Sequence, residues 1–205
     1  MSLLSVQGLE LRFGQEAPVV DGLSFTLEAG ESLGLVGASG SGKSLSALAL
    51  MGLLPQGARI SAGTAHFEGQ DLFSLPEAAR RSLRGGAMGL VFQEPFSALN
   101  PLMRVGKQIE ESLGIHQGLR GVAAAEEAAA WLDRVGISPG PERAAQYPHQ
   151  YSGGMRQRAL LAMALAGQPK LLIADEPTTA LDATVQAQML ALIRRLQAEL
   201  GFALL

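Results

Sequence analysis

The sequence predicts an α/β fold with an N-terminal antiparallel β-region and an inserted helical region, and three observations predict it. Gly37-Ala38-Ser39-Gly40-Ser41-Gly42-Lys43-Ser44 fits G-x-x-x-x-G-K-[ST] at every fixed position. Leu171-Leu172-Ile173-Ala174 is a continuous apolar run of the kind a parallel strand covered on both faces displays, and it ends in Asp175-Glu176-Pro177. From residue 94 to 151 the pattern changes to two helical stretches, the second rich in Ala and Glu.

The glycine-rich stretch implies a triphosphate, because its backbone can curl with N–H groups pointing inward. Gly37, Gly40 and Gly42 permit the positive φ angles and close approach this needs, with Ala38, Ser39 and Ser41 completing the loop. Lys43 supplies a point charge for the β- and γ-phosphates, and the Ser44 hydroxyl is placed to ligate Mg²⁺. Ser32-Leu33-Gly34-Leu35-Val36 before the loop reads as a short buried strand. Residues 45–54 after it read as a helix whose N-terminal N–H groups and dipole add to the anion site.

A chain of 205 residues, 47% hydrophobic, can bury the core of one ordinary domain or one domain with an inserted lobe. A formal net charge of −3 gives no global attraction to nucleic acid, which is not an expected partner. With no cysteine there is neither a disulfide framework nor a thiolate metal site. The first 13 residues alternate like a strand and lack the basic and apolar regions of a signal peptide. The longest apolar runs fall short of the roughly 18 residues that span a bilayer. The expectation is a cytoplasmic protein whose membrane role, if any, comes through a partner.

Taken in order, Leu9, Leu11 and Phe13, then Leu23, Phe25 and Leu27, alternate with polar neighbours as half-buried strands, with turns at 14–18 and 28–31. Phe13 sits where it can stack on an adenine ring or serve as core. Residues 55–63 read as a turn region, and 64–72 as a strand followed by a Gly-containing turn. Residues 76–84 suit a short helix with a solvated Arg80-Arg81 pair. The apolar strand 88–92 delivers Gln93 to its C-terminal end, where α/β folds bind ligands. Residues 105–116 and 121–135 read as helices, with Trp131 and Leu132 as packing residues. Ser152 is a good N-cap, and Gly153 and Gly154 leave the N–H groups of the helix that follows bare, a second anion site. Acidic residues at the tip of a buried strand are costly unless they handle a cation or a proton, which gives Asp175 and Glu176 a use beside a magnesium nucleotide. A last amphipathic helix follows Asp182, and residues 202–205 begin another strand.

These motifs, together with their order, resemble the nucleotide-binding subunit of an ATP-binding cassette (ABC) transporter over essentially all 205 residues. The resemblance assigns 37–44 to the phosphate loop, Phe13 to the aromatic adenine platform, Gln93 to the Q-loop and Ser152-Gly153-Gly154 to the signature. Asp175 and Glu176 match the metal and base carboxylates, and Ala180-Leu181-Asp182 the D-loop. Phe96-Ser97-Ala98-Leu99-Asn100-Pro101, Tyr147-Pro148-His149-Gln150 and residues 174–182 are similar to the oligopeptide, dipeptide and nickel importer branch. Met155 stands where many cassettes have Gln, a departure that branch shares.

The resemblance implies a P-loop NTPase (RecA-like) core, residues 1–93 and 159–205 with the β-subdomain, and an inserted helical subdomain at 94–158 carrying the signature. It implies an ATPase powering uptake of peptides or a related small solute such as nickel. Lys43 would bind phosphate, Ser44 and Gln93 would hold Mg²⁺ with Asp175, and Glu176 would polarise the attacking water. Partners would be transmembrane permeases, a second ATPase subunit whose nucleotide meets residues 152–154 and Asp182, and indirectly a solute-binding protein. The site would lie on the inner face of the membrane. Family members continue into a strand and a switch histidine, whereas this sequence ends at Leu205, so weak hydrolysis is expected of the 205-residue chain. A cassette ATPase without a membrane partner, of the DNA-repair or translation type, is the alternative, although such proteins usually carry coiled-coil insertions or basic arms. A small-molecule kinase would share only the phosphate loop.

Overall fold

A computed structural model describes residues 2–92, 98–177 and 182–205. Strands β1 (Leu4–Phe13), β2 (Val20–Leu27), β3 (Ala58–Phe67) and β4 (Gln70–Asp71) form an antiparallel sheet in the order β2-β1-β3-β4. Strands β5 (Met88–Val91), β6 (Leu171–Ala174) and β7 (Ala203–Leu204) form a parallel sheet in sequence order. Parallel neighbours need crossovers, and helices fill them. α1 (Lys43–Met51) and α2 (Glu77–Leu83) precede β5. Between β5 and β6 come α3 (Val105–His116), α4 (Gly121–Arg134), α5 (Gly140–Ala144), a 3₁₀ turn (Pro148–Gln150) and α6 (Gly153–Ala166). α7 (Ala183–Leu200) joins β6 to β7.

The parallel sheet separates two apolar clusters by the two-residue period of its strands. Leu171 and Ile173 of β6, with Met88 and Leu90 of β5, face a cluster shared with α1 and the antiparallel sheet. Leu172, Val91 and Phe202 face the other cluster, built by α3, α4, α6 and α7 around Trp131, Leu132, Leu161 and Leu165. Gly89 allows α6 to lie close on β5, since a Cβ there would sit 2.8 Å from the Ala164 carbonyl oxygen. Two side chains tie α3 to α6: Ser112 Oγ donates to the Met163 carbonyl at 3.2 Å, and Gln117 Nε2 donates to that of Ala166.

Helices α3 and α4 coincide with their sequence patterns to within a residue, because a long amphipathic repeat fixes its own register. Elsewhere the structure differs from expectation. No buried strand forms over 32–36: Ser32 makes an isolated bridge to Leu204, the Leu33 N–H donates to the Leu204 carbonyl at 2.8 Å, and Val36 is 94% exposed. A strand requires a neighbour's hydrogen bonds, and β7 reaches only Leu204, so residues beyond Leu33 find no ladder among the described residues. The turn expected over 55–63 is shorter, because β1 offers an edge on which β3 starts at Ala58. Gly63, at φ 92°, marks a bulge against Gly8 rather than a turn. Arg80 is half-buried rather than solvated, its stem laid against Gly52 and its Nε 3.7 Å from Glu77, while Arg81 is exposed. Helix α5 and the 3₁₀ turn are too short for periodicity to announce them.

Candidate active site

The chemistry gathers where α1 starts and β6 ends. Gly42 caps α1 in the left-handed region, at φ 88°, a conformation that glycine adopts without penalty. A Cβ at Gly42 would also lie 2.3 Å from Val20 Cγ2, so the loop is pressed onto the start of β2. Gly40 is left-handed as well, at φ 79°, but Gly37 is not. Its hydrogen side chain is needed for a different reason than the positive φ expected: a Cβ there would sit 2.5 Å from Ser41 Oγ. Ser41 N donates to the Ala38 carbonyl at 3.2 Å and closes the turn. Ser46, one turn into α1, returns both its N–H and its hydroxyl to the Gly42 carbonyl, at 2.8 and 2.9 Å, and braces the loop from below.

Lys43 folds back over this loop. Its Nζ donates to the carbonyls of Gly37 at 2.9 Å and Ala38 at 3.1 Å, and lies 3.5 Å from Glu176 Oε1. Ser44 Oγ donates to Asp175 Oδ1 at 2.9 Å. Asp175 is fixed in turn through its own N–H, which donates to the Val91 carbonyl at 3.0 Å and carries the β5–β6 pairing one residue past the strands. Glu176 stands at φ 45°, a left-handed conformation rare for a non-glycine residue. Such strain persists where surrounding structure imposes it and is concentrated at functional sites. The result is a cation, a hydroxyl and two carboxylates at one place, drawn from segments 131 residues apart in the Ser44–Asp175 pair.

A cavity of about 380 Å³ opens beside them, lined by Phe13, Val19, Ser39, Gly40, Gly42, Lys43, Ser44, Leu45, Leu48 and Glu176. The chemistry of this donor set fits a magnesium triphosphate. An ammonium sits at the end of a helix N-terminus whose N–H groups are bare, and a hydroxyl and a carboxylate present hard oxygens side by side. Phe13 and Val19 add an apolar wall.

The second helix start is 110 positions along and differently made. Ser152 Oγ accepts from Met155 N at 3.3 Å as an N-cap, and Ser152 and Gly153 are exposed. Gly154 lies against Val185 of α7, with 3.3 Å between its would-be Cβ and Val185 Cγ1. Asp182 caps α7, accepting from Thr184 N at 3.1 Å and Val185 N at 3.0 Å. No residue from 140 to 160 lines the cavity at the phosphate loop. Gln93, Ala180 and Leu181 lie outside the described residues.

Sequence reading missed the parts of the site contributed by packing. Val19 and Val20 carry no local signal that places them against Gly42. Leu45 and Leu48 face the cavity at helical spacing and could have been found from it.

Comparison with known proteins places this geometry. The family model described as ABC transporter matches residues 20–179. The oligopeptide transport ATP-binding protein OppD of Salmonella typhimurium is 48% identical over 99% of the chain, and the dipeptide transport ATP-binding protein DppD of Escherichia coli is 48% identical over all of it. The chain spans 61% and 63% of the lengths of these two relatives. Among solved structures, a dimeric ATP-binding cassette in a post-hydrolysis state with ADP and phosphate superposes with a TM-score of 0.84 at 25% identity, covering 98% of this chain and 85% of that one. The chain of cbiO1 from Clostridium perfringens, part of the transporter complex cbiONQ, shares the fold with a TM-score of 0.82 at 24% identity, covering 99% of this chain and 76% of that one.

Proposed function

The chain belongs to the ABC transporter family, and we propose that it is the ATP-hydrolysing subunit of a peptide importer. The observation that carries this reading is the meeting of Lys43 with Glu176 and of Ser44 with Asp175, beside a cavity that Lys43, Ser44 and Glu176 line. Lys43 exchanges its loop carbonyls for phosphate oxygens, which compensate its charge better than neutral acceptors do. The loop N–H groups from Gly37 to Ser44 orient those oxygens, and Phe13 stacks on the adenine. Ser44 and Gln93, with Asp175 through water, would hold magnesium, which would neutralise phosphate charge. Glu176 orients the attacking water and accepts its proton, a role worth about 10²- to 10⁴-fold.

Ser152, Gly153 and Gly154, with Asp182 nearby, serve the nucleotide held by a second ATPase subunit. Support comes from their placement, since Ser152, Gly153 and Asp182 are exposed, Gly154 is half-buried against Val185, and none of the four lines the cavity of its own chain. In domain terms we read 1–93 with 159–205 as the core and 94–158 as the helical subdomain, with α6 running across the 158/159 boundary. In this reading transport runs through separate permease subunits docked at the inner membrane face, fed by a solute-binding protein; no helix among the described residues is long and apolar enough to cross a membrane. The names of the most similar relatives favour peptides over nickel as the solute.

The test uses the protein at its natural full length, tagged and purified in mild detergent. It should bring down polytopic membrane subunits, and the MgATP hydrolysis of that assembly should rise when a peptide-loaded binding protein is added. Recovery as a free particle with the same hydrolysis rate, with or without peptide, would remove the importer reading.

A further inference from the structure

His116, the last residue of α3, is half-buried and takes no part in the site described so far. Its ring lies in a slot that three glycines leave open. A Cβ at Gly85 would overlap His116 Nε2, one at Gly86 would sit 3.2 Å from Nδ1, and one at Gly167 3.5 Å from Cδ2. Gly167 caps the end of α6, and a Cβ on it would also collide with the Gly85 carbonyl oxygen, so the two segments meet backbone to backbone with the ring wedged beside them. Burial lowers the pKa of the imidazole and no charged neighbour contributes, so the neutral ring is the form the slot accepts. The charged groups on the packed segments are engaged elsewhere or exposed: Arg84 with Glu77 and the Met51 carbonyl, Lys170 with Glu68, and on α3 Glu110 with Lys107, while Glu111 is exposed.

What the slot fixes is the start of β5. Gly85 N donates to the Met88 carbonyl at 2.8 Å, and the Ala87 carbonyl accepts from Lys170 N at 2.9 Å and Leu171 N at 3.2 Å where the β5–β6 pairing begins. Four positions later the Val91 carbonyl accepts from Asp175 N at 3.0 Å, and Asp175 Oδ1 accepts from Ser44 Oγ. From this geometry we infer that His116 is a positioning residue for hydrolysis: by wedging α3 against the entry to β5 and the exit from α6, it sets the register at which β5 and β6 hold Asp175 beside Ser44. The inference rests on reading Ser44 and Asp175 as the magnesium side of the site. A four-residue strand is a short ladder whose register moves as a unit, so a loosened start is felt at its end. Lys43 and the glycine-rich loop belong to α1, which the slot does not touch. Nucleotide binding is therefore spared, and the chemical step carries the loss.

Steady-state MgATP hydrolysis by the full-length protein, followed over a range of about pH 5 to 8, tests this. His116→Gln should lower kcat about tenfold, short of the roughly 10²-fold that a 1 Å misplacement can cost, with KM held. In the parent, kcat should hold above the ordinary imidazole value of 6.5 and fall below it, because the folded chain takes up the proton at a lower pH than the free side chain and the charged ring no longer suits the slot. His116→Gln should flatten that acid limb. Gly86→Ala puts a methyl 3.2 Å from Nδ1, so it should lower kcat alone and recover part of the loss in a His116→Ala background, where the methyl enters vacated space. Parental kcat in His116→Gln, a loss confined to KM, an acid limb that survives the substitution, or additive losses in the pair each overturn the proposal and leave the ATPase reading standing. If His116→Gln no longer melts cooperatively, Gly86→Ala decides, and a parental rate there overturns the proposal. A parent that does not hydrolyse MgATP removes the ATPase reading, and the proposal with it.

Discussion

Helices α1 and α6 both begin with glycine-rich turns, yet among the described residues only α1 starts beside a lysine, a serine hydroxyl and two carboxylates that contact one another. At α1 the chain supplies a lysine, a serine hydroxyl and two carboxylates within hydrogen-bond or ion-pair reach of one another. At α6 it supplies a serine cap and two glycines, with neither a lysine nor a carboxylate in the cap's hydrogen bonding. The difference teaches that a helix N-terminus is half of a site. What completes α1 comes from the end of β6 in the same chain.

The comparison breaks most visibly at Glu176. Glu176→Gln keeps the shape of the α1 site and removes the proton acceptor, so steady-state hydrolysis should fall about 10²- to 10⁴-fold while equilibrium titration with MgATP shows retained affinity. A variant that turns over at the parental rate would take Glu176 out of the chemistry. Lys43→Ala removes the cation that α6 never had. Phosphate affinity should drop roughly 10- to 100-fold, the worth of a hydrogen bond to a charged group, and calorimetric titration reads it directly. Unchanged affinity would mean that the loop does not hold phosphate.

Backbone substitutions sharpen the contrast. Gly42→Ala forces a side chain into a left-handed residue and against Val20, and should cost about 1–3 kcal/mol in a denaturant melt. At Gly153 a Cβ meets nothing within 4 Å, so Gly153→Ala should leave the melt within about 0.5 kcal/mol of the parent. Similar losses at both positions would show that the two helix starts are equally constrained. Ser152→Ala removes one cap and should cost about 1 kcal/mol, seen as a fall in Tm of roughly 2–4 °C for a chain of this size.

Much of this site was legible as residue type at fixed spacing, and the remainder was not, for reasons visible residue by residue. Lys43, Ser44, Asp175 and Glu176 were identified because phosphate and metal chemistry admits few side chains and the strand–loop–helix order confines where they stand. Of the positive φ and the close approach expected at Gly37, the structure shows no positive φ, and the close approach is to Ser41. The strand expected over 32–36 failed because alternation and apolar content say that a segment suits a sheet, without saying whether a neighbour is there to bond it.

By itself the sequence determined the α/β class, the glycine-rich loop before α1, the carboxylates at the end of β6 and the registers of α3 and α4. These follow from covalent identity and from periods of two and 3.6 residues, which are local properties of the chain. Only the tertiary structure decided that Val20 packs on the glycine-rich loop, that Glu176 is held left-handed beside Lys43, that Gly63 bends β3 instead of ending it, and that Tyr147 and His149 stack on one another before α6. Each of these depends on the distance between segments remote in sequence, set by how two apolar clusters close on the faces of one parallel sheet, and no local pattern encodes that distance.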